Sequence, residues 1–256
     1  MVLMSTNPLL RATGVSVAFG GLRALSNVDI TVNKGEVVGL IGPNGAGKTT
    51  LFNAICGVVK PDSGTFAFEE RETWPVTNRL ASIGISRTLQ GVGLFPDLTV
   101  LENVMIGANN FARTGLLSAS FGINYRDEKA LAIRSHIALE RVFASPLAHR
   151  RAGTLAYPDA KRVAIARALV SQPKLLLLDE PAGGLGAHDI EWLNRFIREL
   201  SGEMSVLIVE HHMDVVMSVC NRIYVLNFGE VISQGTPAHV RNDPAVISAY
   251  LGADAQ

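Results

Sequence analysis

The run Gly42-Pro43-Asn44-Gly45-Ala46-Gly47-Lys48-Thr49 is the stretch best equipped for chemistry. It fits G-x-x-x-x-G-K-[ST], with an apolar strand before it (VVGLIG, 37–42) and an apolar helical run, TTLFNAICGV, after it. Glycines let a backbone curl closely around phosphate oxygens. Successive amide N–H groups and the helix start then stabilise the negative charge. In such a loop Lys48 reaches the β- and γ-phosphates of a nucleotide. The Thr49 hydroxyl, followed by Thr50, holds Mg2+. A second acidic position follows at the end of KLLLLDE (174–180). Four apolar residues, Leu175–Leu178, bury that strand, so Asp179 emerges at its C-terminal end, where ligands bind in parallel sheets. Asp179 is expected to bind Mg2+ through water, and Glu180 to polarise an attacking water. Alone, LLLLDE reads as a buried strand closed by an ordinary acidic turn. Beside a phosphate loop it reads as the second half of one site.

The elements that must hold these residues are legible in outline. Strand-like runs VSVAF (15–19) and VDITV (28–32) precede the loop, and GTFAFE (64–69) and IGISRTLQ (83–90) follow the helix after it. Residues 94–173 then read mostly as helix, through LTVLENVMIGAN and YRDEKALAIRSHIALERVFA. After KLLLLDE come helix HDIEWLNRFIREL, strand SVLIVEH, helix MDVVMSVC, strands RIYVLNF and EVISQG, and helix PAVISAYLG. Strands alternating with helices predict an α/β fold with a mainly parallel sheet. The early strands, with no helices between them, predict an antiparallel side sheet. The reading is one domain over 1–256, with a core at 1–93 and 174–256 and a helical subdomain at 94–173. The stretch 109–124, rich in Gly, Ser and Asn, is expected to be the flexible part.

Bulk properties narrow the classes. A chain of 256 residues suits one large α/β domain or a domain with a small subdomain. Hydrophobic residues make up 48% and mean hydropathy is +0.25, yet no run approaches the roughly 18 apolar residues of a membrane span. An apolar chain that does not span is expected to keep a sticky surface for a partner. The N-terminus has no long apolar segment and no cleavage pattern, so it reads as unprocessed. Lysine plus arginine equals aspartate plus glutamate at 23 each, which argues against a nucleic-acid partner. Cys56 and Cys220 lie far apart in apolar surroundings and read as reduced core thiols of a cytosolic protein. A GTPase would need a guanine-reading NKxD late in the chain. The nearest string, NKGE at 33–36, precedes the phosphate loop and lacks the aspartate. No arginine-rich lid of a nucleoside kinase stands out.

The order of the remaining motifs resembles that of ATP-binding-cassette (ABC) ATPases along nearly the whole chain. The resemblance implies a P-loop NTPase core binding ATP and Mg2+. It implies that Phe19 stacks on adenine and that Gln90, ending ISRTLQ, is the glutamine that senses Mg2+ and γ-phosphate beside the helical subdomain. LAYPDAKR (155–162) falls at the family's signature position, AGGLGAHD at the D-loop, and His211 at the switch histidine that contacts γ-phosphate; His212 is the structural alternative. The signature in the family runs Leu-Ser-Gly-Gly-Gln at the head of a helix facing the partner's ATP. Here Ala156 stands at the serine, Tyr157 and Pro158 at the glycines, and Asp159 at the glutamine. Proline has no N–H to offer a γ-phosphate, and Asp159 brings negative charge. The functional reading is that the site completed by this helix turns over slowly; the bland reading is tolerated drift.

Finer similarity narrows the subfamily. GLFPDLTVLENVMIGA, the insertion through residue 124, VEHHMDVVMSVCNRIYVLNFGEVISQGTP and the ending DPAVISAYLG resemble the larger ATPase subunit of bacterial branched-chain amino-acid uptake systems. That implies a peripheral subunit on the cytoplasmic face of the inner membrane. Its expected partners are permease subunits, a second ATPase subunit in a homo- or heterodimer and, indirectly, a periplasmic binding protein. Two other functions compete with an energy-coupling ATPase. One is a weakly hydrolysing regulatory subunit beside a more active one. The other is a soluble ABC ATPase acting on DNA or the ribosome, which a single cassette without basic excess disfavours.

Overall fold

The structure is a computed structural model and describes residues 8–89, 91–108 and 125–251. The chain forms two compact units, one of residues 1–80, 180–182 and 190–256, the other of 81–179 and 183–189.

In the first unit β1 (Leu10–Phe19) and β2 (Leu22–Val32) form an antiparallel hairpin turning at Gly20 and Gly21. Leu10, Ala12, Val15 and Val17 are buried, the two-residue repeat being reset by the register shift between Ala12 and Val15. Next comes β3 (Val37–Ile41), which leads into helix α1 (Lys48–Ile55). Strand β4 (Ser63–Phe68) pairs antiparallel with β1, giving a three-stranded sheet ordered β2-β1-β4. This is the expected antiparallel side sheet.

In the second unit the short helix α2 (Leu80–Ile83) runs in from the first. Strand β5 (Ile85–Arg87) pairs in parallel with β6 (Leu175–Asp179). The expected strand at 83–90 is thus only three residues long, since Gly84 at φ +90 precedes it. Three helices pack on one another: α3 (Val100–Gly107), α4 (Tyr125–Arg141) and α5 (Tyr157–Leu169). Helix α3 starts on a reciprocal cap, Thr99 Oγ1 accepting from the Glu102 N–H while the Thr99 N–H donates to the Glu102 carboxylate. It ends at Gly107, where a Cβ would lie 2.0 Å from the Arg167 carbonyl of α5, so only glycine permits this approach. The sequence division at 93/94 and 173/174 follows the change from strands to helices. The compact unit is wider, because β5 and β6 pair with each other and the Ser86 and Ser171 hydroxyls share a buried hydrogen bond.

The remaining elements are α6 (Ala187–Leu200), β7 (Ser205–Val209), α7 (Met213–Val219), β8 (Arg222–Asn227), β9 (Glu230–Gly235), α8 (Pro237–Arg241) and α9 (Pro244–Leu251). In the first unit β3 lies between β7 and β8, parallel to both, and β9 closes that edge antiparallel to β8. All five residues of β3 and all five of β7 are buried, as in parallel strands covered on both faces. Helix α6 buries Trp192, Leu193, Phe196, Ile197 and Leu200, one helical stripe. Both cysteines are buried and neither is in a disulfide; burial pushes the Cys220 thiol up to about 12. Among the described residues no helix is long and apolar enough to cross a membrane.

Candidate functional site

Residues Gly42–Gly47 leave the end of β3 and deliver the chain into α1. Gly47 caps the helix at φ +100, and a Cβ there would stand 2.6 Å from the Ala24 carbonyl, so both conformation and space require glycine. The loop is braced from behind. Ala46 N–H donates to Pro43 O at 3.2 Å, Gly229 N–H to Ala46 O at 3.0 Å, and Ser26 N–H to Gly229 O at 2.8 Å. Asn44, Gly45 and Thr49 are exposed at its mouth, while Ala46 is buried and Pro43 and Thr50 are half-buried. Lys48 is buried, and its ammonium donates to the carbonyls of Gly42 at 2.7 Å and Pro43 at 2.8 Å. Burial lowers its pKa, and the negative charge of Glu180 pulls the other way.

Phe19 ends β1 with 53% of its surface exposed, beside its cross-strand partner Leu22. An aromatic face left open at a hairpin tip is available for stacking. From α9, Tyr250 faces the backbone of Gly42; burial raises its phenol pKa and the Gly42 backbone opposes this. The sequence reading did not single out Tyr250.

Four more side chains of the first unit converge at the end of β7. Glu180 takes a left-handed conformation, φ +45, rare for a side-chain-bearing residue, and its N–H donates to Val209 O at 2.9 Å. Its Oε1 lies 3.6 Å from His211 Nδ1. Between the histidines and the backbone sits Glu210, wholly buried. Glu210 Oε1 accepts from the Ala182 N–H at 2.8 Å. Its Oε2 accepts from the N–H groups of His211 at 2.8 Å and His212 at 2.9 Å, and lies 2.9 Å from His212 Nδ1. Burial by itself would raise this carboxyl, but the hydrogen bonds from His212, Ala182 and His211 outweigh it and hold the pKa below the ordinary value. His212 is thereby tied to Glu210, while the His211 ring stands 3.6 and 3.7 Å from the two carboxylates, beyond hydrogen-bonding distance. The two neighbours thus differ, His212 anchored on Glu210 and His211 half-exposed. Glu210 was missed from sequence. Its signal was an acidic residue closing the apolar run SVLIV, as Asp179 closes LLLL.

NKGE is a structural turn. The Asn33 N–H donates to Glu36 Oε2 at 2.8 Å, and Arg222 grips the same carboxylate with Nε at 2.8 Å and Nη2 at 2.8 Å.

In the second unit Asp179 ends β6 half-buried, its N–H donating to Thr88 Oγ1 at 3.2 Å. Gln90 and the stretch 109–124 lie outside the described residues. The loop after Gln90 is held by Asn103 of α3, fully buried, whose Oδ1 accepts from the Phe95 N–H and whose Nδ2 donates to Phe95 O and Thr99 O. Arg167 of α5 donates to Gly93 O at 2.7 Å and Val92 O at 3.3 Å. Leu89, Phe95 and Ile106, all substantially exposed, line a groove of about 330 Å³ with Arg87 and Arg167.

The run LAYPDAKR forms the head of α5. Ala156 is the N-cap and offers no side-chain oxygen, Pro158 is the second helical residue and Asp159 the third. The first turn of a helix leaves its N–H groups pointing outward, and Pro158 removes one of them. Tyr157 is 43% exposed and lies against Gly184, with Lys161 Nζ 5.6 Å from its ring centroid. Asp159 is 3.9 Å from Arg162, whose Nη2 also binds Asp189 at 3.0 Å.

A glycine loop at a strand–helix junction, a buried lysine, and a carboxylate 3.6 Å from a histidine define a P-loop nucleotide-binding cassette. Comparison with known proteins agrees. A family model described as ABC transporter matches residues 25–183, and one described as branched-chain amino acid ATP-binding cassette transporter matches 230–256. The high-affinity branched-chain amino acid transport ATP-binding protein LivG of Salmonella typhimurium is 42% identical over 252 residues, covering 96% of this chain and 99% of that protein. A solved structure of the ADP conformation of an ATP-binding cassette of an ABC transporter superposes with a TM-score of 0.85 at 34% identity, covering 96% of this chain and 100% of that one. A dimeric cassette in a post-hydrolysis state bound to ADP and Pi gives 0.76 at 26% identity over 89% and 98% of the two chains. The chain belongs to the ABC transporter family and is an ATP-binding ATPase subunit.

Proposed function

We propose that this chain hydrolyses ATP to drive a bacterial importer of branched-chain or related amino acids from the cytoplasmic face of the inner membrane. The observation that carries the ATPase half is the grouping of Lys48, Glu180 and His211 in one unit, with Glu180 acting on Lys48 electrostatically and standing 3.6 Å from His211. Similarity to LivG over nearly the full chain supports the cargo class.

In this reading the loop Gly42–Thr50 wraps the triphosphate, and the Lys48 ammonium leaves its two carbonyls for β- and γ-oxygens. Phe19 stacks on the adenine. Thr49, Asp179 and Gln90 all offer oxygen, the donor Mg2+ prefers, and would hold that ion, which neutralises phosphate charge when bound. Glu180 polarises the attacking water and His211 contacts the γ-phosphate. ATP lies between two such subunits, each P-loop facing residues Ala156–Asp159 of its partner. Residues 94–173 act as the helical subdomain, and the groove at Leu89, Phe95 and Ile106 receives a permease helix. The periplasmic binding protein acts only through the permease.

A second reading, a weakly hydrolysing subunit paired with a more active one, is favoured by Pro158 and Asp159 at the head of α5. The test is co-purification with the permease subunits and ATP turnover in proteoliposomes, with and without the cognate binding protein. Turnover that rises with loaded binding protein and disappears in a Lys48→Ala complex supports the first reading. Turnover carried wholly by the companion subunit supports the second. No association with any membrane partner refutes both.

A further inference from the structure

We propose that Glu210, His211 and His212 form a binding site for a divalent transition metal of the Zn2+ class, and that filling it, by engaging the His211 ring beside Glu180, stops ATP hydrolysis. The ligand atoms of Glu210, His211 and His212 all lie within 4.8 Å of one another. His212 Nδ1 is 2.9 Å and His211 Nδ1 3.7 Å from the same oxygen, Glu210 Oε2, and Glu180 Oε1 is 3.6 Å from His211 Nδ1. Metal–ligand bonds of about 2.0–2.1 Å at tetrahedral angles put neighbouring ligand atoms about 3.3 Å apart. The two separations from Glu210 Oε2, 2.9 Å to His212 Nδ1 and 3.7 Å to His211 Nδ1, lie either side of that value, and rotation of the two rings brings their nitrogens to an ion.

The donor set selects the metal. Two imidazole nitrogens with carboxylate oxygens suit Zn2+, whereas Mg2+ seeks an all-oxygen shell and keeps its waters. The surroundings are those of a braced site. The N–H groups of His211, His212 and Ala182 fix the Glu210 carboxylate, as outer partners do for metal ligands. The two rings lie 4.2 Å apart, centroid to centroid, and are 50% and 37% exposed at the side chain, which leaves an entry path. Binding requires the neutral imidazole nitrogen, so a proton held at either Nδ1 moves to Nε2 or to water as the metal arrives. No electron changes hands.

The inhibitory half rests on the reading that His211 and Glu180 serve ATP turnover; the binding half does not. The experiment uses the purified full chain. Zn2+ affinity is measured by competition with a chromophoric chelator, and Co2+ is used as a visible-absorption probe of the coordination shell. We expect one Zn2+ per chain, unmoved by millimolar Mg2+, and a Co2+ spectrum indicating low-symmetry nitrogen and oxygen ligation. His212→Gln is expected to weaken binding at least about tenfold, since even loss of an outer partner costs 10–100-fold. His149→Gln, at the separate His136–His149 pair whose centroids are 6.4 Å apart, is the control and is expected to change nothing. Absence of a stoichiometric site, or equal affinity in His212→Gln, overturns the proposal, as does loss in His149→Gln instead. In the second arm, Mg-ATP hydrolysis at buffered free Zn2+ should fall with the measured site occupancy and return on chelation. Binding without inhibition overturns the inhibitory half. Absence of turnover before any metal is added strikes at the ATPase reading instead, leaving the binding arm to decide the site.

Discussion

Replacing Glu210 with glutamine tests whether one buried carboxylate organises the end of β7. Four N–H donors converge on it, at 2.8 Å from Ala182, 2.8 and 2.9 Å from the His211 and His212 backbone, and 2.9 Å at the His212 ring. A glutamine has one acceptor oxygen and must turn it to one side. With the oxygen toward the histidines, its NH2 faces the Ala182 N–H, and one buried donor left unsatisfied costs about 1–3 kcal/mol. The remaining bonds fall from charge-assisted to neutral strength, about 1 kcal/mol each. The smaller desolvation cost of an amide offsets part of this, leaving a loss of about 2–4 kcal/mol. The pH dependence follows from the lowered carboxyl pKa. The unfolded chain binds a proton more readily than the folded one, so this stabilisation is complete above the unfolded value near about 4.3 and is lost as pH falls through the lower folded value. Urea unfolding from pH 7 downward should show wild type converging on Glu210→Gln at acid pH. Turnover should fall by about 10²-fold, the effect of displacing a positioned group by about 1 Å. A stability change below about 1 kcal/mol at pH 7, with turnover within twofold, would refute the role assigned to Glu210.

Three other variants probe the ATP site. Lys48→Ala removes the charge now held on Gly42 O and Pro43 O and should abolish productive ATP binding; titration with a labelled ATP analogue showing unchanged affinity and hydrolysis would sink the P-loop assignment. Glu180→Gln should retain bound ATP but slow hydrolysis by about 10²–10⁴-fold, and turnover within twofold of wild type in the reconstituted transporter would mean another group activates the water. Pro158→Gly returns an N–H to the first turn of α5, and such a bond to a charged group is worth about 1.5–3 kcal/mol; turnover of the assembled complex should rise, and a level or lower rate would show that the proline is not what limits that site.

What the sequence determined by itself was the part set by short-range sterics and solvent partition. Gly42–Thr49 between an apolar strand and an apolar helix fixes a phosphate loop, because only glycine takes φ +78 at Gly45 and φ +100 at Gly47 without strain. Runs such as LLLL at 175–178 are buried because nothing in them can bond water, and that places Asp179 at a strand end. The antiparallel side sheet was legible for the same reason, in early strands without helices between them. What only the tertiary structure decided was which charges meet. Glu36 drew notice in the sequence only for standing where NKxD would have an aspartate, and it is the anchor of Arg222, far along the chain. Glu210 looked like the tail of a strand and is the acceptor joining Ala182 to both histidines. Hydrogen bonds and ion pairs act over about 3 Å of space whatever the separation in sequence, so the residue types announced the chemistry and the fold chose the partners.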